Sequence, residues 1–396
     1  MSLYELPPDD TSIETVPPQT EPLFSKTFAV IGESKPLAYE NFAIPGWIEF
    51  QKTLTDLIEN VLKTSLPPRQ AQELSDEVVS VLASYGERVF DHVNPPKPTD
   101  TGYLKLLHEY NRRYRRVGAV HVELGTWTAW SDQRVADFAA MDGLSEFVRL
   151  DMNPDFKPDV AAFVTEMPFK DNSIDRISSN SLFEHVAYPH EIIKESFRIL
   201  RPGGMMYVNV PFVFTQHGCP HDYLRYVPEY FQHVCRDVGF EVVYSDVSSS
   251  SGLYYTLHNS LKAAIVSTNT TPEEATAMRT LHMLGLLLLA ALSPFDRYFQ
   301  GEGRNFSTST ECFAIKPGEY KNPERSQRNT SIPFVQRNLD ILACPISKQE
   351  LRLDGSELIC DAANIRYAVR NGIPVFVEPN GDTSYPSQAS LAMSRR

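Results

Sequence analysis

The sequence predicts an α/β fold: a doubly wound, mostly parallel sheet with a helical N-terminal extension and a small β-rich C-terminal unit. Three observations carry that prediction. Ala119-Val-His-Val-Glu-Leu-Gly125 reads as a buried strand entering a tight glycine turn, followed by a helix from about Trp130 to Met141. A second apolar run, Phe147-Val-Arg-Leu150, ends on Asp151. Strand, glycine turn, helix, strand and terminal acid is how such a domain begins a nucleotide site, the acid reaching ribose hydroxyls and the glycine admitting the ligand. Strand-like and helix-like stretches then alternate as far as Lys316, the pattern of parallel strands with crossover helices.

Composition narrows the class. A chain of 396 residues exceeds one ordinary core and suits a large domain with appendages. Its 50 acidic against 37 basic residues, a formal net charge of −13, argue against an extended nucleic-acid surface, which needs Lys and Arg to displace counterions. The cluster Arg112-Arg-Tyr-Arg-Arg116 reads as a solvated helix face. Five scattered cysteines without framework spacing point to a reducing, cytoplasmic setting. The opening residues lack the basic start and apolar core of a signal peptide. The strongest apolar run, Leu281 to Leu292, contains His282 and Gly285 and is too short to span a bilayer.

Residues 1–22, rich in Pro, Thr and acids, read as a disordered tail. Residues 23–117 form a helical extension. In it Trp47, Phe50, Leu54, Leu57, Ile58, Val61 and Leu62 recur at helical spacing, as do Leu74, Val78, Val81, Leu82 and Tyr85 after Pro67-Pro68. A further helix over about Tyr103–Arg116 leads into the first strand. These helices cap the pocket, offer a homodimer surface or, as the commoner arrangement, simply pack on the main core. The main domain spans residues 118–317. Val160–Val164 and Arg176–Asn180 are predicted strands, and Pro189–Leu200 a helix that Pro202-Gly-Gly204 terminates. Met205–Val210 is a strand buried on both faces. Glu229–Val238 is a helix capped by Gly239, and Glu241–Asp246 a strand. A helical insertion opens at the capping box Thr271-Pro-Glu-Glu274. Glu311–Lys316 is the last strand. Residues 318–335 are a linker, 336–380 a small unit and 381–396 a tail.

The series Glu123-Leu-Gly125, Asp151, Met167-Pro-Phe-Lys-Asp-Asn-Ser-Ile-Asp175, Glu184-His185 and Arg198-Ile-Leu-Arg-Pro-Gly-Gly204 resembles the class I S-adenosylmethionine-dependent methyltransferases, from about Gly118 to Pro317. The resemblance implies a Rossmann-like seven-stranded methyltransferase sheet with an antiparallel last strand, and S-adenosylmethionine as cofactor. Residue by residue, it implies that Glu123 and Gly125 underlie the methionine moiety and that Asp151 holds the ribose. Met152 would pack on the adenine, Glu166 and Met167 would line its edge, and Asn180 and Ser181 would face the sulfonium. Trp127 and Ala129 stand where the family has glycines, and Phe163 where it has an adenine-binding aspartate. Two readings therefore stay open: an enzyme whose Trp127 walls the pocket, or a non-catalytic scaffold or regulatory subunit whose cofactor site is closed.

The loop Pro211-Phe-Val-Phe-Thr-Gln-His217-Gly-Cys-Pro-His221-Asp222-Tyr223-Leu-Arg225-Tyr226 follows the fifth strand, where the fold places acceptor groups. It resembles a bacterial subgroup associated with surface-sugar or secondary-metabolite modification. His217 or Asp222 is the expected base, with Tyr223 and Arg225 beside them; Asp222 and Arg225 could instead pair to fix the loop. His185, His217, His221 and Asp222 are ligand types, but no recognised spacing assigns a metal. The acceptor is expected to be a small molecule or glycan, O- or N-methylated.

Leu342-Ala-Cys344-Pro345, Leu358-Ile-Cys360, Tyr367 and Asn371-Gly-Ile-Pro-Val375 resemble the zinc-ribbon-like domain that activates certain tRNA and translation-factor methyltransferases. The partners of Cys344 and Cys360 would be Ser347 and Ala363, which leaves too few ligands for zinc.

Overall fold

The computed structural model describes residues 47–84, 118–127, 129, 131–142, 144–217, 221–248, 252–266, 275–299, 306–321 and 331–380. The expected terminal tails, the Tyr103–Arg116 helix with its arginine cluster, and the Thr271–Glu274 capping box lie outside them.

The central strands are β1 (Val120–Leu124), β2 (Glu146–Asp151), β3 (Val160–Ala161), β4 (Ile174–Asn180), β5 (Leu200–Pro211), β6 (Glu241–Val247) and β7 (Ser309–Ile315). They lie in the order β6-β7-β5-β4-β1-β2-β3. All pairings are parallel except those of β7, which runs antiparallel to β5 and β6. Every residue of β1 is buried, as expected of a central parallel strand covered on both faces. The third strand is shorter than its apolar sequence suggests.

Helix α1 (Trp47–Ser65) and α2 (Pro68–Ser84) precede the sheet. They are followed by α3 (Asp132–Asp142), α4 (Pro189–Ile199) and α5 (Pro228–Val238) between strands. Gly239, at φ 110°, closes α5 by donating to the carbonyls of Cys235 and Arg236. The end of α4 differs from expectation. Leu200 leaves it in extended conformation, and Pro202-Gly-Gly204 belongs to β5. Gly203 (φ +71°) serves close approach instead: a Cβ there would fall 2.9 Å from that of Tyr320.

Between β6 and β7 lie α6 (Leu253–Val266), absent from the sequence-based expectation, and α7 (Ala275–Leu292). Asp296 caps α6 by accepting the Tyr254 and Tyr255 amides at 2.7 and 2.9 Å. Leu54, Val78 and Leu82 of α1 and α2 form a small core with Ala291 of α7, so the N-terminal helices pack on the insertion. Leu74 and Val81 are buried as expected, whereas Leu57 and Val61 are exposed. Among the described residues no helix is long and apolar enough to cross a membrane.

The C-terminal unit contains α8 (Phe334–Asn338), β8 (Arg352–Asp354), β9 (Glu357–Cys360), β10 (Ile365–Arg370) and β11 (Ile373–Asn380). It is continuous with the main sheet. Strand β11 pairs in parallel with β3, Val375 opposite Ala161, and the order runs on β3-β11-β10-β9-β8 to make an eleven-stranded sheet. Leu342, Cys344 and Tyr367 share one apolar core with Val122, Leu150 and Met206.

A second seam runs along residues 167–170. Lys170 N–H donates to the Ile341 carbonyl at 2.9 Å, and Ala343 N–H to that of Pro168 at 3.0 Å. Arg198 donates to the Met167 and Phe169 carbonyls and to both Glu195 oxygens. Glu195 also accepts from Lys348 at 3.0 Å and from the Met167 amide at 2.9 Å. Farther along, Arg337 grips Glu146 with two hydrogen bonds.

Candidate active site

Strand β1 delivers Gly125 to the rim at φ +67°, its amide donating to the Leu150 carbonyl at 2.9 Å. A Cβ at this glycine would lie 2.7 Å from Leu182 Cδ1. The next turn holds Trp127 at φ +44° and sends its amide to Asp151 Oδ2 at 2.8 Å, while the Asn153 amide donates to Oδ1 at 3.0 Å. Asp151 is thus seated by backbone donors at the end of β2. Burial pushes its pKa up against those amides, so further donors would stabilise its charge. A carboxylate has about four acceptor positions, which fits a ribose presenting two hydroxyls.

The Trp127 indole is half exposed and stacks toward Phe156, with ring centroids 6.0 Å apart. Met152, Phe163 and Glu166 are partly exposed near this end. Met167 departs from its expected place at the adenine edge. Its side chain is fully buried in the main core, and its backbone belongs to the seam with the C-terminal unit.

Glu123 joins the two halves of the rim. Its carboxylate accepts from the Ser178 hydroxyl and from Asn180 Nδ2, the latter at 3.1 Å. His121 Nε2 lies 2.7 Å from the same Ser178 oxygen. Asn180 and Ser181 are exposed at the end of β4.

The turn Phe183–His185 follows β4 and meets the loop after β5. Tyr223 N–H donates to the Glu184 carbonyl at 2.7 Å, and Tyr226 hydroxyl to that of Phe183 at 2.8 Å. Within the loop, Asp222 makes two bonds to Arg225, at 2.5 and 2.7 Å, and accepts the His217 amide at 2.7 Å. Arg225 also donates to the carbonyls of Thr215, Phe214 and Leu224. The Arg225 guanidinium, the His217 amide and the His217 ring outweigh burial and hold the Asp222 pKa at about 2. Asp222 is therefore a brace for the loop and not the expected base. The exposed ring of Tyr223 lies tilted beside that of His221.

His217 and His185 pack edge to face, with centroids 5.0 Å apart. Burial lowers the His185 pKa, favouring its neutral ring. Next to them Glu184 is fully buried, and among the described residues neither carboxylate oxygen has a hydrogen-bond partner beyond its own residue. Burial pushes its pKa up to about 7, with Arg225 opposing and Asp222 adding to the rise. The expected site set does not include Glu184. Its position beside His185 just after β4 was the available signal.

In the C-terminal unit, Ser347 bonds through its amide to Cys344 Sγ and through its hydroxyl to Cys360 Sγ. Cys344 also contacts the Tyr367 hydroxyl at 3.2 Å. Two thiols, a hydroxyl and the Ala363 methyl do not suit a structural zinc, which takes four Cys or His ligands.

Comparison with known proteins agrees with this architecture. Residues 124–208 match the family described as "Methyltransferase domain" and residues 336–372 that described as "Trm112p-like protein". A UPF0434 protein of Stutzerimonas stutzeri (strain A1501) is 53% identical over 47 residues, 11% of this chain and 77% of that protein. One of Hydrogenovibrio crunogenus is 49% identical over 60 residues, 15% and 90% of the two chains. Among solved structures, a complex of the Haloferax volcanii Trm112 methyltransferase activator and a putative methyltransferase aligns with TM-score 0.33 and 18% identity, over 56% of this chain and 94% of that one. The chain thus carries a methyltransferase domain matched over residues 124–208 and a Trm112p-like domain matched over 336–372, the second built as the continuation of the same sheet.

Proposed function

We propose that this protein transfers a methyl group from S-adenosylmethionine to a hydroxyl or amine of a small-molecule or glycan acceptor held beside His217 and Tyr223. The observation that carries the reading is the shared rim. Asp151 at the end of β2 and Glu184, His185 and His217 beyond β4 and β5 flank the Glu123–Asn180 contact, where α/β sheets bind ligands. When bound, S-adenosylmethionine supplies an electrophilic methyl on its sulfonium. Asp151 would hold the ribose hydroxyls, Met152 and Glu166 the adenine side, and Gly125 a close backbone approach. Glu123 and Asn180, fixed to each other, would face the methionine end. The Asp222–Arg225 brace would set His217 and Tyr223 over the acceptor, aligning it for in-line displacement and excluding water. Glu184, His185 and His217 are the groups available to the acceptor's proton.

A second reading, the non-catalytic scaffold, is favoured by one observation: the Trp127 amide already occupies Asp151. Gentle purification followed by mass analysis for retained S-adenosylmethionine or its demethylated product separates the two. Titration of native protein beside Trp127→Gly completes the test. Native binding in the micromolar range, roughly −8 kcal/mol, is expected, as the exposed indole stacked toward Phe156 supports an open pocket. Binding that appears only in the glycine variant would overturn the enzyme reading.

A further inference from the structure

We infer that Glu184, His185 and His217 form a binding site for one divalent first-row transition-metal ion, open toward the acceptor loop. The argument begins with lone pairs. His185 Nδ1 lies 2.5 Å from the His221 carbonyl oxygen. A carbonyl only accepts, so Nδ1 carries the proton and the neutral ring presents a bare Nε2. His217 Nδ1 faces the Thr215 carbonyl at 3.2 Å and Asp222 Oδ2 at 3.4 Å. Arg225 Nη2 approaches the same nitrogen at 3.5 Å, the limit of a hydrogen bond, and its stronger contacts go to Asp222 and Thr215. The closer acceptors place the proton on Nδ1, leaving Nε2 of His217 bare as well.

The two bare nitrogens converge on Glu184 Oε1, at 3.6 Å for His185 and 3.9 Å for His217. These separations are too long for hydrogen bonds. All three ligand atoms lie within 4.8 Å of one another. Among the described residues nothing beyond its own backbone amide donates to a Glu184 carboxylate oxygen. Three acceptors facing one another around a common point, one of them a fully buried carboxyl, leave room for a cation. Metal–ligand distances of about 2.0–2.2 Å would draw the three atoms inward by roughly half an ångström each.

The surroundings match a metal site as well. Each histidine donates its other ring N–H to a carbonyl or carboxylate, the usual way a ligating imidazole is oriented. Two imidazoles and a carboxylate suit Zn, Mn, Fe or Co better than Ca or Mg. Three protein ligands leave positions open, as catalytic sites do, and the His217 side chain is 34% exposed, so the open side reaches solvent. On the methyl-transfer reading above, on which this last step rests, an acceptor hydroxyl entering an open position would lose its proton to solvent more readily.

The test uses the full chain, stripped with a chelator and without cofactor. Cobalt(II) is titrated by visible absorption and zinc(II) by calorimetry. One equivalent should bind. Glu184→Gln and His217→Gln should each weaken it about tenfold or more, while a Cys344→Ser/Cys360→Ser variant keeps the stoichiometry. His217 lies on a part-exposed loop, so its variant remains informative if Glu184→Gln fails to fold by circular dichroism. No saturable binding below roughly 100 µM, binding untouched by His217→Gln, or binding lost only with the thiols would overturn the site. S-adenosylmethionine calorimetry on the same samples keeps the two ideas apart. Cofactor binding without metal binding sinks the metal site alone; metal binding without cofactor binding upholds the site and sinks the methyl-transfer reading.

Discussion

Asp151 and Asp222 are two rim aspartates with opposite electrostatics. Burial raises the first, and Arg225 holds the second at about 2. Asp151 therefore gains from ligand hydroxyls, whereas Asp222 already has its partners. Asp151→Ala is expected to weaken S-adenosylmethionine binding by about 1–3 kcal/mol, the scale for losing a charge-assisted acceptor. Calorimetry on a folded variant checks this, and unchanged affinity would remove the ribose assignment. The place of Asp151 at the end of β2 was legible because a strand-terminal acid after a glycine turn carries its own geometry. The burial of Met167 was not, because the apolar core that takes its side chain is completed by residues far along the chain, Leu342 and Tyr367 among them. Nor was Glu184: no local pattern reveals that a carboxylate will be enclosed without donors.

At the scale of elements, the first turn shows how a rim is made from backbone. Gly125 takes a left-handed conformation while Leu182, from the turn after β4, fills the space a side chain would need. Gly125→Ala should cost about 1–3 kcal/mol through strain and lower the thermal midpoint by several degrees in a scan at neutral pH. An unchanged midpoint would mean that Leu182 yields freely and the turn is unstrained. Strand and helix alternation predicted β1, β2, β4, α4 and α5 within a residue or two, since both faces of the sheet demand apolar runs. Pro202-Gly-Gly204 misled because glycine after a helix signals a cap, whereas here it admits Tyr320. Helix α6 escaped because its apolar residues form no clean stripe between the polar ones.

The whole molecule is held by ion pairs between distant parts of the chain as well as by the shared sheet. Burial pushes the Glu195 pKa up, but Arg198 and Lys348 outweigh it and hold it below the usual 4.5. A carboxyl lowered by folding stabilises the native state above its unfolded pKa. That stability is lost as pH falls through the lower folded value. Denaturant unfolding followed against pH should therefore lose stability below about pH 4.5, and Glu195→Gln should flatten that slope while lowering stability at neutral pH. A wild-type slope retained in the variant would assign the acid sensitivity to other groups. The C-terminal signature announced a small module, and its missing ligands could be counted. That its last strand would join β3 was hidden, because strand pairing in parallel is set by burial on both sides and not by local sequence.

That junction has a consequence for competition. Any separate strand reaching for the edge of β3 meets an edge already taken by β11, and taken by a segment of the same polypeptide. Tethering turns a bimolecular encounter into a unimolecular one, with an effective local concentration on the order of millimolar. A soluble rival with the same intrinsic affinity would need to approach that concentration to displace half of the built-in strand. The two domains, being one polypeptide, thus exist at a fixed one-to-one ratio.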